Sequence, residues 1–143
     1  MQEDQTKTTI NYMMSEVKAI YHEAAVRMGI ADSVQNVLYA ICANGEQCPQ
    51  SDIYKQTGIS RQTINSAVRK LEKEGFVYLK QGPGRKTTVC LTPRGRALAE
   101  EKARPLLRIE DEIYQSWTQE EREIYLELTR RYRDALKKKL EEL

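Results

Sequence analysis

The chain has 143 residues, 40% hydrophobic and 31% charged, with a formal net charge of +2. That length suits one domain with a sizeable core, and no apolar run approaches the roughly 20 residues of a membrane span. The first residues, M-Q-E-D-Q-T-K-T-T, lack the basic and apolar regions of an export signal, so the chain is expected to work in the cytoplasm.

Residues 10–28 read as an amphipathic helix. Ile10, Met13, Met14, Val17, Ile20, Tyr21, Ala24 and Met28 recur at helical spacing, and Gly29 ends the run. Asp32 is placed to cap a second helix, which carries Val34, Val37, Leu38 and Ile41 on one face and ends near Asn44-Gly45. Cys48-Pro49 makes a short extended entry into the next helix.

The stretch Ser51–Gly75 is the most informative. It reads as a short helix, a tight turn at Gly58-Ile59, and a second helix N-capped by Ser60 and closed by Gly75. In the second helix Ile64, Ala67, Val68 and Leu71 have the i, i+3, i+4, i+7 spacing of a buried stripe. Gln62, Ser66, Arg69 and Lys73 then fall about 140–200° from Ile64, on the opposite face. Amides, hydroxyls and cations on one solvent face suit base edges and phosphates in a major groove. Phe76–Lys80 and Lys86–Leu91 are β-branched and aromatic enough for strands, and Q-G-P-G-R between them forces a turn. Helix, turn, helix and a hairpin with a basic tip make a winged helix-turn-helix. The fold class expected is therefore mainly α with a small β-hairpin wing.

Thr92-Pro93 restarts a helix that runs to about Trp117, with Pro105 expected to kink or break it. Thr118-Gln119-Glu120-Glu121 is a capping box opening a last helix, which carries Ile124, Leu128, Tyr132, Ala135, Leu136 and Leu140. There are no repeats or low-complexity tracts.

The modest net charge conceals a segregation. Residues 51–96 hold ten Lys/Arg and three Asp/Glu, +7 for the segment, which leaves −5 elsewhere. A basic centre between acidic ends suits a nucleic-acid surface.

The sequence resembles the MarR family of bacterial transcriptional regulators over nearly its whole length. The resemblance is carried by G-I-S-R-Q-T-I-N-S-A-V-R-K-L-E-K-E-G-F, by the wing with Arg85, and by L-T-P-R-G-R-A-L at 91–98. It implies a single domain over 1–143, with a winged-helix DNA-binding part at 31–98 and dimerisation helices at 1–29 and 99–143. It implies a homodimer on a pseudo-palindromic double-stranded DNA operator, acting as a repressor and released by a small aromatic or anionic effector. The apolar stripes of the first and last helices would be covered by a second subunit, or by each other within one chain.

Ser60, Arg61, Gln62, Thr63, Asn65, Ser66 and Arg69 are the candidates to line the groove, Gln and Asn suiting adenine and Arg suiting guanine. Lys70 and Lys73 lie further along and suit phosphates. Arg85 resembles the family's minor-groove arginine, with Lys86 in support. Many family wings carry an Asp two residues before this arginine, where this chain has Pro83.

The one histidine, His22, does not make a zinc site by itself. Three cysteines with no C-x-x-C indicate no disulfide scaffold, and Cys42 and Cys90 sit where burial is the default. Tyr12, Tyr21, Tyr39, Trp117 and the methionines read as plain core more readily than as a ligand cavity. No phosphate loop, nucleophile elbow or metal cluster is present in the sequence, so no enzyme, cofactor or metal is expected. The rival readings are a winged helix used only for protein interaction and a cysteine-based redox-sensing regulator.

Overall fold

The computed structural model describes residues 2–143, with side chains throughout except at 2–4 and at Arg85. The chain forms two compact units, one running to Leu107 and the other from Arg108 to Leu143. The first holds α1 (Gln2–Met28), α2 (Asp32–Ala43), β1 (Gln47–Pro49), α3 (Gln50–Thr57), α4 (Arg61–Lys73), β2 (Val77–Gln81), a 3-10 turn (Pro83–Arg85), β3 (Thr87–Leu91) and α5 (Pro93–Lys102). Helix α6 (Arg104–Gln115) carries the chain into the second unit, which also holds α7 (Gln119–Glu141). No described helix is long and apolar enough to cross a membrane.

The core of the first unit lies where α2, α3 and α4 meet the sheet. Leu38 and Ile41 of α2, Ile53 of α3, Ile64, Val68 and Leu71 of α4, and Cys48 and Val89 of the strands are all buried. The four apolar positions expected on one face of α4 are the four it buries. Gly58 reverses the chain between α3 and α4 with φ 66, a left-handed conformation that a Cβ would strain.

The fold departs from two local expectations and refines two others. The first helix begins at Gln2 rather than near residue 10. Residues 2–9 are polar and show no apolar period, so the stripe marks only the later part of the helix. Asp32 is not a cap: Ala31 holds the N-cap position with no side-chain bond, and the Asp32 carboxylate meets His22 Nδ1 at 2.6 Å. The entry at Cys48-Pro49 is a strand. β1 pairs antiparallel with β3, giving a three-stranded sheet in the order β1-β3-β2. Three residues are too few for a period to register, and Pro49 is tolerated because β1 is an edge. Finally, the long helix breaks at Ala103 (φ −122°, ψ −46°), ahead of Pro105. Proline lacks a donor and crowds the preceding turn, so it settles into the first turn of α6, where no donor is needed.

The L-T-P-R-G motif locks the wing to α5. Thr92 Oγ1 donates to Gly75 C=O at 2.7 Å and accepts from Gly95 N–H at 3.0 Å, capping α5. Thr92 N–H donates to Phe76 C=O at 3.1 Å. Gly95 lies so close to that same carbonyl that an added Cβ would sit 1.8 Å from its oxygen.

Where α1 ends, buried Gln35 of α2 donates to Lys102 C=O at 3.0 Å and to Met28 Sδ at 3.3 Å. Lys102 Nζ donates to Met28 C=O at 2.6 Å. These bonds tie α1 to α2 and α5 around one buried amide.

In the second unit both bonds of the Thr118–Glu121 capping box are present. Arg122 Nη1 donates to the carbonyls of Tyr114 and Trp117 at 2.9 and 2.8 Å. Tyr114 and Tyr125 each meet Trp117 edge-on, centroids 5.2 Å apart.

Candidate nucleic-acid interface

Helix α4 turns its buried stripe to the core, and most of its polar residues face solvent. Gln62, Thr63, Ser66, Arg69, Lys70 and Lys73 are all exposed. From Gln62 to Lys73 they span about 16 Å at 1.5 Å per residue. Ser60 caps the helix: its Oγ accepts from Thr63 N–H at 3.3 Å and donates to Thr63 Oγ1 at 2.9 Å. The cap also places the helix N-terminus, with its unpaired donors and partial positive charge, at the end that carries Arg61 and Gln62.

Arg61 and Asn65 differ from the other candidates. Both lie on the side of α4 nearer α3. The Arg61 guanidinium stands over the Tyr54 ring, 5.5 Å from its centroid. Asn65 is half-buried, and its Oδ1 accepts from Gln50 Nε2 and from the Tyr54 hydroxyl, each at 2.5 Å. Sequence reasoning does not single out Gln50 and Tyr54 as site residues. The signal that could have found them is their i, i+4 spacing on α3, which puts an amide and a phenol on one face.

The wing is built as expected. β2 and β3 pair from Val77↔Leu91 to Gln81↔Thr87, and Gly82 N–H donates to Lys86 C=O at 2.8 Å to close the tip. Lys86 is exposed. The Arg85 side chain, also expected in this interface, lies outside the described residues.

The charge of the segment is not all available to a ligand. Arg94 packs over the Phe76 ring at 4.8 Å and donates to Glu74 C=O at 2.9 Å. Arg96 pairs with Glu46 at 3.0 Å. Arg94 ties α5 to the end of α4, and Arg96 ties it to the turn before β1. Arg69, Lys70 and Lys73 make no internal hydrogen bond or ion pair among the described residues, so their charge faces outward.

Cys42, Cys48 and Cys90 are free and buried. Burial pushes the Cys48 thiol up to about 11, with Asp52 adding to the rise. Burial also raises Cys42, against the opposing pull of Arg104. A raised pKa removes the thiolate that oxidation requires. His22 is exposed and bound to Asp32, and no group of metal-ligating side chains occurs among the described residues.

Tyr12, Met13 and Met14 are not core: each is more than half exposed. Trp117 is half-buried against Tyr114 and Tyr125. The reading of the helical aromatics and methionines as plain core therefore fails on α1, because its stripe has nothing of the first unit over it until its last turns, where Ala25 is buried.

A capped helix with an outward polar face, braced by a second helix and flanked by a β-hairpin, defines a winged helix-turn-helix DNA-binding protein. Residues 28–86 match the model of the MarR family. That segment is similar to the MarR family of transcriptional regulators. The HTH-type transcriptional regulator YwoH of Bacillus subtilis is 27% identical over 105 residues, 73% of this chain and 76% of its own length. The structure of NMB1585, a MarR family regulator from Neisseria meningitidis, matches with a TM-score of 0.80 at 19% identity, over 99% of this chain and 98% of its own. BpsR of Bordetella bronchiseptica matches at 0.61 and 23% identity, over 91% of this chain and 95% of its own. At these identities the structural likeness is one of fold.

Proposed function

We propose that the protein is a cytoplasmic homodimeric repressor that reads a pseudo-palindromic double-stranded operator. Helix α4 enters the major groove of each half-site, Gln62, Ser66 and Arg69 meet base edges, and Lys70 and Lys73 meet phosphates. Ser60 and Thr63 fix the helix start. The wing tip, with Arg85 and Lys86, reaches the flanking minor groove, where narrow A·T tracts deepen the negative potential. The observation that carries this reading is the outward polar and cationic face of α4 with no internal partners for Arg69, Lys70 and Lys73 among the described residues.

Dimerisation is supported by apolar surface left in water. Ile10, Val17 and Ile20 of α1, and Ile124, Leu128 and Tyr132 of α7, are each half or more exposed. Apolar area left in water costs about 25 cal/mol per Å², and a second copy would cover it. Two reading heads then meet half-sites one helical turn, about 34 Å, apart.

The effector is a small aromatic or anionic molecule that favours a spacing of the heads unsuited to the operator. Support comes from BpsR, whose DNA binding is regulated by 6-hydroxynicotinic acid. The function requires no catalytic step.

Selection of bound sequences from a random duplex pool is the direct test. Enrichment of an inverted repeat with half-sites one turn apart is expected. Binding that stays indifferent to sequence, or no binding even at low salt, would return the winged helix to a protein-interaction role.

A further inference from the structure

We infer that Tyr54 and Gln50 determine what Asn65 is able to read, by occupying its carbonyl oxygen and leaving it a hydrogen-bond donor only. The inference rests on the DNA-reading function proposed for α4.

An asparagine that recognises adenine uses both ends of its amide. The oxygen accepts from adenine N6–H, and the nitrogen donates to N7. An amide oxygen has two lone pairs. In Asn65 both are taken, one by Gln50 Nε2 and one by the Tyr54 hydroxyl, each at 2.5 Å. The two donors come from one face of α3, four residues apart, so a single helix face presents both to the same oxygen. Asn65 Nδ2, with two hydrogens, has no partner among the described residues.

Tyr54 is itself held. Its ring packs against the core and lies beneath the Arg61 guanidinium, 5.5 Å from centroid to Cζ. The phenol therefore cannot swing away to release the amide without disturbing Arg61. Tyr54 is a positioning residue for two side chains at the start of the reading helix.

A donor-only amide selects acceptor edges. Guanine offers N7 and O6 in the major groove, and thymine offers O4. Cytosine presents its N4–H donor and is rejected. Adenine keeps its N7 contact but loses the second bond that would favour it. Asn65 thus specifies guanine or thymine over cytosine at one position of each half-site, without the adenine preference that its residue type suggests.

The full-length protein, Asn65→Ala, Tyr54→Phe and the double variant Gln50→Leu/Tyr54→Phe would each be put through selection from a random duplex pool. Tyr54→Phe keeps the ring under Arg61 and the core filled, so its thermal midpoint should stay near that of the parent. It serves alone if the double variant does not fold. In the parent motif, one position per half-site should be guanine or thymine with cytosine depleted. Asn65→Ala should flatten that position and leave the others intact. Freeing the oxygen should move the same position towards adenine, by about fivefold or more in the double variant and less in the single one. Adenine already preferred in the parent at the position lost in Asn65→Ala would overturn the inference. So would a motif unchanged in every variant, which would make the network a structural clip while leaving DNA reading intact. A parent that enriches no motif at all would overturn the DNA-reading function itself.

Discussion

Gly95 sits against the Phe76 carbonyl, and an added Cβ would lie 1.8 Å from its oxygen. Phe76 C=O is fixed by Thr92 N–H, so it cannot withdraw. Gly95→Ala is expected to cost about 2–4 kcal/mol, in the range of backbone clashes and lost caps. Urea unfolding measures it, and a loss below about 0.5 kcal/mol, the scale of neutral surface changes, would show that α5 slides freely over the wing. Cys48 carries the second prediction at this scale. Its thiol is pushed up to about 11 from an ordinary value of 9.0. The folded form therefore holds its proton where the unfolded form gives it up, so the stabilising contribution is complete below pH 9 and disappears as pH rises towards 11. Cys48→Ala should show a shallower fall in stability between those values than the parent does. A thiol reagent should label native Cys48 only at the rate of unfolding.

Among the elements, α4 separates a buried apolar face from an outward polar one along its own surface. Gln62→Ala or Arg69→Ala should weaken binding to the selected operator by about 1–3 kcal/mol and relax its sequence preference. Lys73→Ala should weaken all duplexes alike and shallow the salt dependence by about one unit. If Lys73 proved base-specific while Gln62 and Arg69 were neutral, the helix would be docked about a different face. The elements also divide by how visible they are in the sequence. The period of α4, its Ser60 cap and the Thr118 capping box are local signals, readable from spacing alone. β1 is not, because a three-residue strand exists only through its pairing with β3. The break at Ala103 is equally hidden, since Pro105 marks a disturbance without saying on which residue the chain will turn. Asn65 shows the same limit within the site: residue type suggests an adenine reader, but its oxygen is spent on two side chains from another helix.

For the whole molecule, the exposed stripes of α1 and α7 lead to a concentration-dependent expectation. Sedimentation at micromolar concentration should give a mass of twice 16.6 kDa. A single 16.6 kDa species would leave those stripes unexplained and remove the paired reading heads. Short-range periodicity and turn chemistry already carry the helix-turn-helix, the hairpin wing, the capped helices and the basic centre of the chain. Those signals act within a few residues, so the order of amino acids is enough to reveal them. Only the folded chain settles which cations are spent internally, as Arg94 on Phe76 and Arg96 on Glu46. Folding likewise buries the three thiols and sets Tyr54 and Gln50 against Asn65 of α4. Each of these depends on groups distant in sequence meeting in space, where burial and hydrogen bonding assign a role that residue type leaves open.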